Sequence, residues 1–231
     1  MLRLLLATNN PGKLHELVPL LDDVPLHIVT PHALGLRLHV EETGTTYAEN
    51  ARLKAAAFAH ASGLLTLADD SGLEVDALSG APGVYSARYA GEGGTLNCAP
   101  SADAVAGNGA PLNWRPSADA VAGNEASDAD RRAKLIDVLR QVPAPRRARF
   151  RCVIAIAQPG GAIDYFEGVC EGEIILEERG ANGFGYDPVF YLPEHGCTMA
   201  ELPSAVKNQM SHRARAAQAA RLFLHKLATN H

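Results

Sequence analysis

Four short stretches of this 231-residue chain join residue types that handle anions, divalent cations or purine rings. Thr8-Asn9-Asn10-Pro11-Gly12-Lys13 is a run of turn formers ending in a lysine. Small residues let a backbone approach an oxygen closely. The N–H groups at a helix start attract anions, and a lysine there adds a full charge. The run lacks the two spaced glycines and the Lys-Ser/Thr of a Walker A loop. Glu41-Glu42 and Asp69-Asp70 are paired carboxylates of the kind that suits Mg²⁺, which takes oxygen ligands. The alternative for them is solvated turns, with an aspartate capping a helix. In Gly183-Phe184-Gly185-Tyr186-Asp187-Pro188, two glycines flank an aromatic ring and leave its face open for a base. A plain turn with core aromatics is the other reading of that stretch. Lys207-Asn208-Gln209-Met210-Ser211-His212-Arg213 places cations at a helix start, against the macrodipole, as placement for a ligand would. Such donors can read a purine carbonyl or a phosphate.

These stretches need elements to hold them. Leu2 to Ala7 reads as a buried strand, and Leu14, Leu17, Val18 and Leu21 then recur at helical spacing. Thr46 and Glu49 form a T-x-x-E capping box, so a helix is expected from near Tyr47 to about Ser62, closed by Gly63. Lys54 falls inside that helix and is expected to matter less to catalysis than Lys13. Leu64 to Ala68 reads as a short strand ending in a turn at Asp69-Asp70-Ser71-Gly72, the strand-end position where open α/β sheets place ligands. Ala148 to Ala157 reads as a strand, with Ala162 to Cys170 and Glu173 to Leu176 as hairpin partners. Ser211 is placed to cap a last helix carrying Ala217, Leu224 and Leu227. Strands and helices alternate early and strands cluster later, which indicates an α/β fold with a mixed sheet.

Composition narrows the function. A formal charge of −5 argues against a general nucleic-acid binder. No stretch reaches the ~20 apolar residues of a membrane span. The four cysteines form no C-x-x-C pair and read as reduced thiols of a cytoplasmic protein. One stretch breaks the pattern: Leu96–Pro111 and Leu112–Ser127 are near-copies sharing Pro-Ser-Ala-Asp-Ala-Val-Ala-Gly-Asn. With few large apolar groups, residues 96–127 read as a tandem duplication in a surface loop of a single domain spanning 1–231.

Taken in order, the stretches resemble the inosine triphosphate pyrophosphatase family. The resemblance rests on A-T-N-N-P-G-K at 7–13, E-E-T-G-T-T-Y-A-E-N-A-R-L-K-A at 41–55 and A-D-D-S-G-L-E-V-D-A-L at 68–78. It continues through G-A-P-G-V-Y-S-A-R-Y-A-G at 80–91, F-G-Y-D-P-V-F at 184–190 and S-H-R at 211–213. It implies a two-lobed mixed β-sheet flanked by helices, with the nucleotide in a cleft between lobes, usually as a homodimer. It further implies Mg²⁺-dependent hydrolysis of dITP, ITP and XTP to the monophosphate and pyrophosphate. Thr8 to Lys13 would hold the phosphates, and Glu41 or Glu42 with Asp70 the Mg²⁺. Asp70 would accept the proton of the attacking water, with Ser71 beside it as a substrate contact. Phe184, Gly185, Tyr186, Asp187, Lys207, His212 and Arg213 would hold base and sugar. The sequence departs from the family where the duplication follows Tyr89-Ala90-Gly91, and where Arg131 stands in place of a common asparagine. Two rivals remain at this level: a pyrophosphatase for modified pyrimidine nucleotides, and a non-catalytic nucleotide-binding module.

Overall fold

The structure is a computed structural model and describes residues 1–90 and 127–229. All of the duplicated segment except Ser127 lies outside the described residues. The elements are β1 (Leu2–Leu6), α1 (Pro11–Leu20), β2 (Leu26–Val29), α2 (Tyr47–Ser62), β3 (Leu65–Val75) and α3 (Asp128–Leu139). They continue with β4 (Arg147–Ala157), β5 (Ile163–Ile174), β6 (Phe190–Leu192), β7 (Cys197–Thr198), α4 (Ser204–Met210) and α5 (His212–Thr229). The sheet order is β2-β1-β3-β4-β5-β6-β7, parallel at β2-β1-β3 and antiparallel at β5-β6-β7. This is the mixed α/β architecture expected from the pattern. No helix among the described residues is long and apolar enough to cross a membrane.

Local chemistry explains the elements that carry the site. Leu4, Leu5 and Leu6 are fully buried, as in a parallel strand covered on both faces. α1 begins where the Asn10 side chain accepts from the Lys13 N–H, with Pro11 in the first turn. α2 has the full capping box: the Thr46 hydroxyl accepts from the Glu49 N–H at 3.2 Å, and the Glu49 carboxylate accepts from the Thr46 N–H at 3.0 Å. Gly63 closes it at φ 67°, a conformation that favours glycine.

Two expectations are corrected. Asp69-Asp70-Ser71-Gly72 is no turn; β3 runs through it as an 11-residue strand. Aspartate is a poor strand former by propensity, but both carboxylates are compensated by partners that sequence spacing does not show. Likewise Ile163–Ile174 is one strand, not two. Gly172 lies inside this strand, where its missing side chain makes room for the Phe190 ring, which a Cβ would approach to 2.6 Å.

The described residues group into two compact units. The first takes Met1–Ser71, Arg151–Cys170 and Ala205–His231; the second takes Gly72–Phe150 and Glu171–Ser204. The first unit has an apolar core of α1, β1, β3, β4 and α5, including Leu4, Leu17, Leu67, Ile154, Ala217 and Leu224. Gly168 of β5 lets the start of α5 pack close, since a Cβ there would lie 2.1 Å from the His212 carbonyl oxygen.

Candidate active site

The first unit gathers most of the expected site residues around β3. Lys13, in the first turn of α1, places its ammonium 3.0 Å from Asp69 Oδ2. The Arg213 guanidinium, at the start of α5, also pairs with Asp69 Oδ2, at 3.1 Å, and with Glu16 of α1. It donates to Ser71 Oγ at 2.8 Å. Lys207 of α4 completes the chain with an ammonium 2.7 Å from Glu16 Oε1. Burial alone would push the Asp69 carboxyl up; the Lys13 ammonium and the Arg213 guanidinium outweigh it and hold Asp69 well below the usual carboxylate range. The buried Cys152 thiol lies 3.9 Å from Asp69 Oδ2, and burial pushes it up to about 12, so it stays protonated.

Asp70 is the neighbour with the opposite environment. Burial is the largest influence and raises its proton affinity; Glu42 adds to the rise, and Lys54 only partly offsets it. Asn50 donates to Asp70 Oδ2 at 3.1 Å, and the same side chain accepts from the Gly44 N–H at 2.8 Å. A Cβ on Gly44 would sit 2.7 Å from that amide oxygen, so the Glu41–Gly44 loop can approach α2 only because this residue is glycine. Lys54 bridges the two carboxylates, 2.5 Å from Glu42 Oε1 and 3.7 Å from Asp70 Oδ1.

Mg²⁺ takes oxygen ligands in octahedral geometry. Among the described residues no cluster of three or more His, Cys, Asp or Glu side chains could hold an ion. Glu42 and Asp70 nevertheless converge on one cation, the Lys54 ammonium, while Glu41 is exposed and outside this arrangement. Two carboxylates suffice for Mg²⁺ when substrate phosphates and waters complete its shell, so the residues fit.

A model of the Ham1 family matches residues 4–111 and 110–223 of this chain. The chain belongs to the Ham1 family. The two matched segments meet where the first copy of the duplication ends and the second begins. The Ham1 chain is 45% identical over 227 residues to a dITP/XTP pyrophosphatase of Desulforamulus reducens, covering 98% of this chain and 97% of the relative. It is 44% identical over 217 residues to a dITP/XTP pyrophosphatase of Geobacter sulfurreducens, covering 94% and 93%. A HAM1 protein of Coxiella burnetii has a similar solved structure, with a TM-score of 0.77 at 38% identity over 98% of this chain and 100% of that one.

In this Ham1 chain the remaining expected residues are placed as follows. Thr8 and Asn10 shape the entry to α1, the Thr8 hydroxyl accepting from the Asn10 N–H at 3.1 Å. His212 is buried; burial first, then Arg213 and Lys207, keep its imidazole neutral near pH 7. Phe184 to Asp187 belong to the second unit. There Tyr186 is buried and its hydroxyl donates to the Ser86 carbonyl at 2.9 Å, while Phe184 stays partly exposed. The Asp187 carboxylate accepts from the Phe184 N–H at 2.9 Å, so it shapes the loop.

Two expectations change here. Arg213 is only 1% exposed and directs its donors to Glu16, Asp69 and Ser71; cations at this helix start are matched by buried carboxylates. Lys54 is no bystander inside a helix but sits between Glu42 and Asp70. Sequence reasoning missed Asn50 and Glu16 as structural partners of the site, and it singled out Asp69 as a carboxylate for Mg²⁺, not as the partner of Lys13 and Arg213. A signal existed for the α2 pair: Asn50 and Lys54 are four apart, on one helix face.

Proposed function

We propose that this chain hydrolyses purine nucleoside triphosphates with a non-standard base, namely dITP, ITP and XTP, to the monophosphate and pyrophosphate, removing them from the nucleotide pool. The dITP/XTP pyrophosphatases of similar sequence support the substrate class. The observation in this chain that carries the reading is the adjacency of two unlike carboxylates on β3. Asp69 is committed to Lys13 at an anion-attracting helix start, and Asp70 is buried with raised proton affinity.

The roles follow from chemistry. The first turn of α1 and the Lys13 ammonium hold the phosphates of the substrate. Asp70 accepts the proton of a water that attacks the α-phosphorus. The new P–O bond forms as the bond to the bridging oxygen breaks, and that electron pair leaves with pyrophosphate. Arg213 holds Ser71 and Asp69 in place. Lys207, the neutral His212 and the Phe184–Asp187 loop take the base and sugar. Donors at the 6-position favour the oxygen of hypoxanthine or xanthine, since adenine would leave them buried and unpaired, at about 1–3 kcal/mol each.

Glu42 and Asp70 would hold Mg²⁺, which when bound supplies positive charge to the polyphosphate. Charge balance supports the need for it: Lys13, Lys54, Lys207 and Arg213 are matched by Glu16, Glu42, Asp69 and Asp70. The same reading makes the protein a cytoplasmic homodimer without a nucleic-acid or membrane partner. Pyrophosphate release from ITP, dITP and XTP, with dATP and dUTP as controls and Mg²⁺ present or chelated, tests it. Turnover of dATP or dUTP at the rate of ITP would overturn the assignment.

A further inference from the structure

We propose that Asp128 and Arg132, on the first turns of α3, are positioning residues that set the Phe184–Asp187 loop for base recognition. The inference rests on the assignment of that loop to the base in the proposed function. All the residues concerned belong to the second unit. Asp128 Oδ2 accepts from the Gly185 N–H at 2.7 Å, and Arg132 donates to the Gly185 carbonyl at 2.9 Å. Both backbone polar groups of one loop residue, Gly185, are therefore gripped by side chains of a single helix, which fixes the two peptide units that meet there. Both grips are charge-assisted, the stronger kind of hydrogen bond.

The grip falls where the loop most needs it. Gly185 has φ 63°, and among the described residues a Cβ there would meet nothing within 4 Å, so no side-chain packing of its own fixes this residue. Either side of it, Phe184 and Tyr186 are the two aromatic residues of the loop, and only Tyr186 is buried and anchored through its hydroxyl. The backbone around Phe184 is fixed by the Asp187 cap on its N–H and by the Asp128 contact to the Gly185 N–H that follows it.

The clamp residues are themselves held. Arg132 Nε lies 3.0 Å from Glu178 Oε2, and Asp128 pairs with Arg131, which donates to the Ala87 carbonyl at 2.8 Å. A displaced aromatic weakens base binding without altering the groups that act on the phosphates. The signature is therefore a split between KM and kcat.

Steady-state hydrolysis of ITP and GTP by Asp128→Asn, Arg132→Ala and Arg132→Lys, with melting temperatures, tests this. Asp128→Asn and Arg132→Ala are expected to raise KM for ITP by about tenfold with kcat within about twofold, and to narrow the preference for ITP over GTP. Arg132→Lys keeps a donor and should recover part of the loss even if Arg132→Ala folds poorly. An active wild-type chain whose folded Asp128→Asn and Arg132→Ala variants keep wild-type KM and preference overturns the inference alone. A fall in kcat that follows the melting temperature, with KM unmoved, also overturns it. A wild-type chain releasing no pyrophosphate from ITP, dITP or XTP overturns the proposed function and the inference with it.

Discussion

The two units hold their candidate residues by different means. In the first, Glu16, Asp69, Asp70, Lys207 and Arg213 are all buried, and each is placed by charges of opposite sign or by a dedicated amide. In the second, Asp187 is the buried charged residue among those described, and it serves the backbone of its own loop. The candidate residues of the first unit are thus held by buried ion pairs, whereas the Phe184–Asp187 loop of the second is held by hydrogen bonds to its main chain. A buried ion pair is costly to break on one side, because it strands the partner charge. A clamped peptide is cheaper to disturb and shifts geometry more than stability. Mutations in the two units should therefore fail differently.

The largest effect expected is on Asp70. Asp70→Asn preserves the shape and removes the base, so kcat should fall by about 10²–10⁴-fold while the fold persists. Retention of more than about a tenth of wild-type kcat, a barrier change under about 1.4 kcal/mol, would remove Asp70 from the chemistry.

Asp69→Asn should instead show in stability. It strands Lys13 and Arg213 in a buried setting, at about 3–5 kcal/mol by analogy with other broken buried pairs. The pH dependence has a definite sign. Asp69 and Glu16 both have folded proton affinities held below their unfolded values: burial opposes this, but Lys13 and Arg213 win for Asp69, and Arg213 and Lys207 for Glu16. Their stabilisation is fully present above the unfolded carboxylate range, about pH 4, and is lost as pH falls through the lower folded values. Urea unfolding of wild type between pH 7 and pH 3 should show stability dropping below about pH 4, with a shallower drop in Asp69→Asn. Identical slopes for the two proteins would mean that the ion pairs do not govern this unit.

How much of this was legible beforehand depends on the range of the contacts involved. The helix over Tyr47–Ser62 was readable to its ends because its caps, Thr46, Glu49 and Gly63, are local. The strand through Asp69-Asp70-Ser71 was not, since what neutralises it comes from Lys13, Lys54 and Arg213, 16 to 144 residues from the aspartate each one pairs with. The motif residues themselves were found by type, but the division of labour between adjacent aspartates needs burial and partners. Phe184 was singled out by its flanking glycines; the helix that clamps Gly185 left no mark near it in sequence.

Lys54 offers a direct check on that lesson. Sequence position ranks Lys13→Ala as the more damaging substitution, whereas the geometry gives both lysines a carboxylate of the β3 pair. Comparable losses in kcat/KM for ITP, each about 10- to 100-fold, are expected for Lys13→Ala and Lys54→Ala. A near-wild-type Lys54→Ala enzyme would restore the simpler ranking and confine the phosphate site to α1.

The smallest effect expected separates the two copies of the duplication, and it probes the second unit. Ser127, the last residue of the second copy, is the N-cap of α3: its hydroxyl accepts from the Asp130 N–H at 3.2 Å, and its own N–H donates to the Asp130 carboxylate at 3.1 Å. The first copy ends in Pro111, which has neither a hydroxyl nor an N–H. Deleting Leu96–Pro111 leaves Ser127 in place before Asp128 and should keep the melting temperature and ITP hydrolysis at wild-type values. Deleting Leu112–Ser127 joins Pro111 to Asp128 and removes the cap, a loss of about 1 kcal/mol. For a chain of this size that amounts to roughly 2–4 °C in melting temperature. Because α3 carries Asp128 and Arg132, a frayed first turn should also raise KM for ITP, in the direction of the clamp variants and by less. Differential scanning calorimetry and steady-state kinetics on the two deletions decide it. If both deletions behave alike, the cap at Ser127 does not matter to α3, and the helix start is held by Asp128 and Arg131 alone.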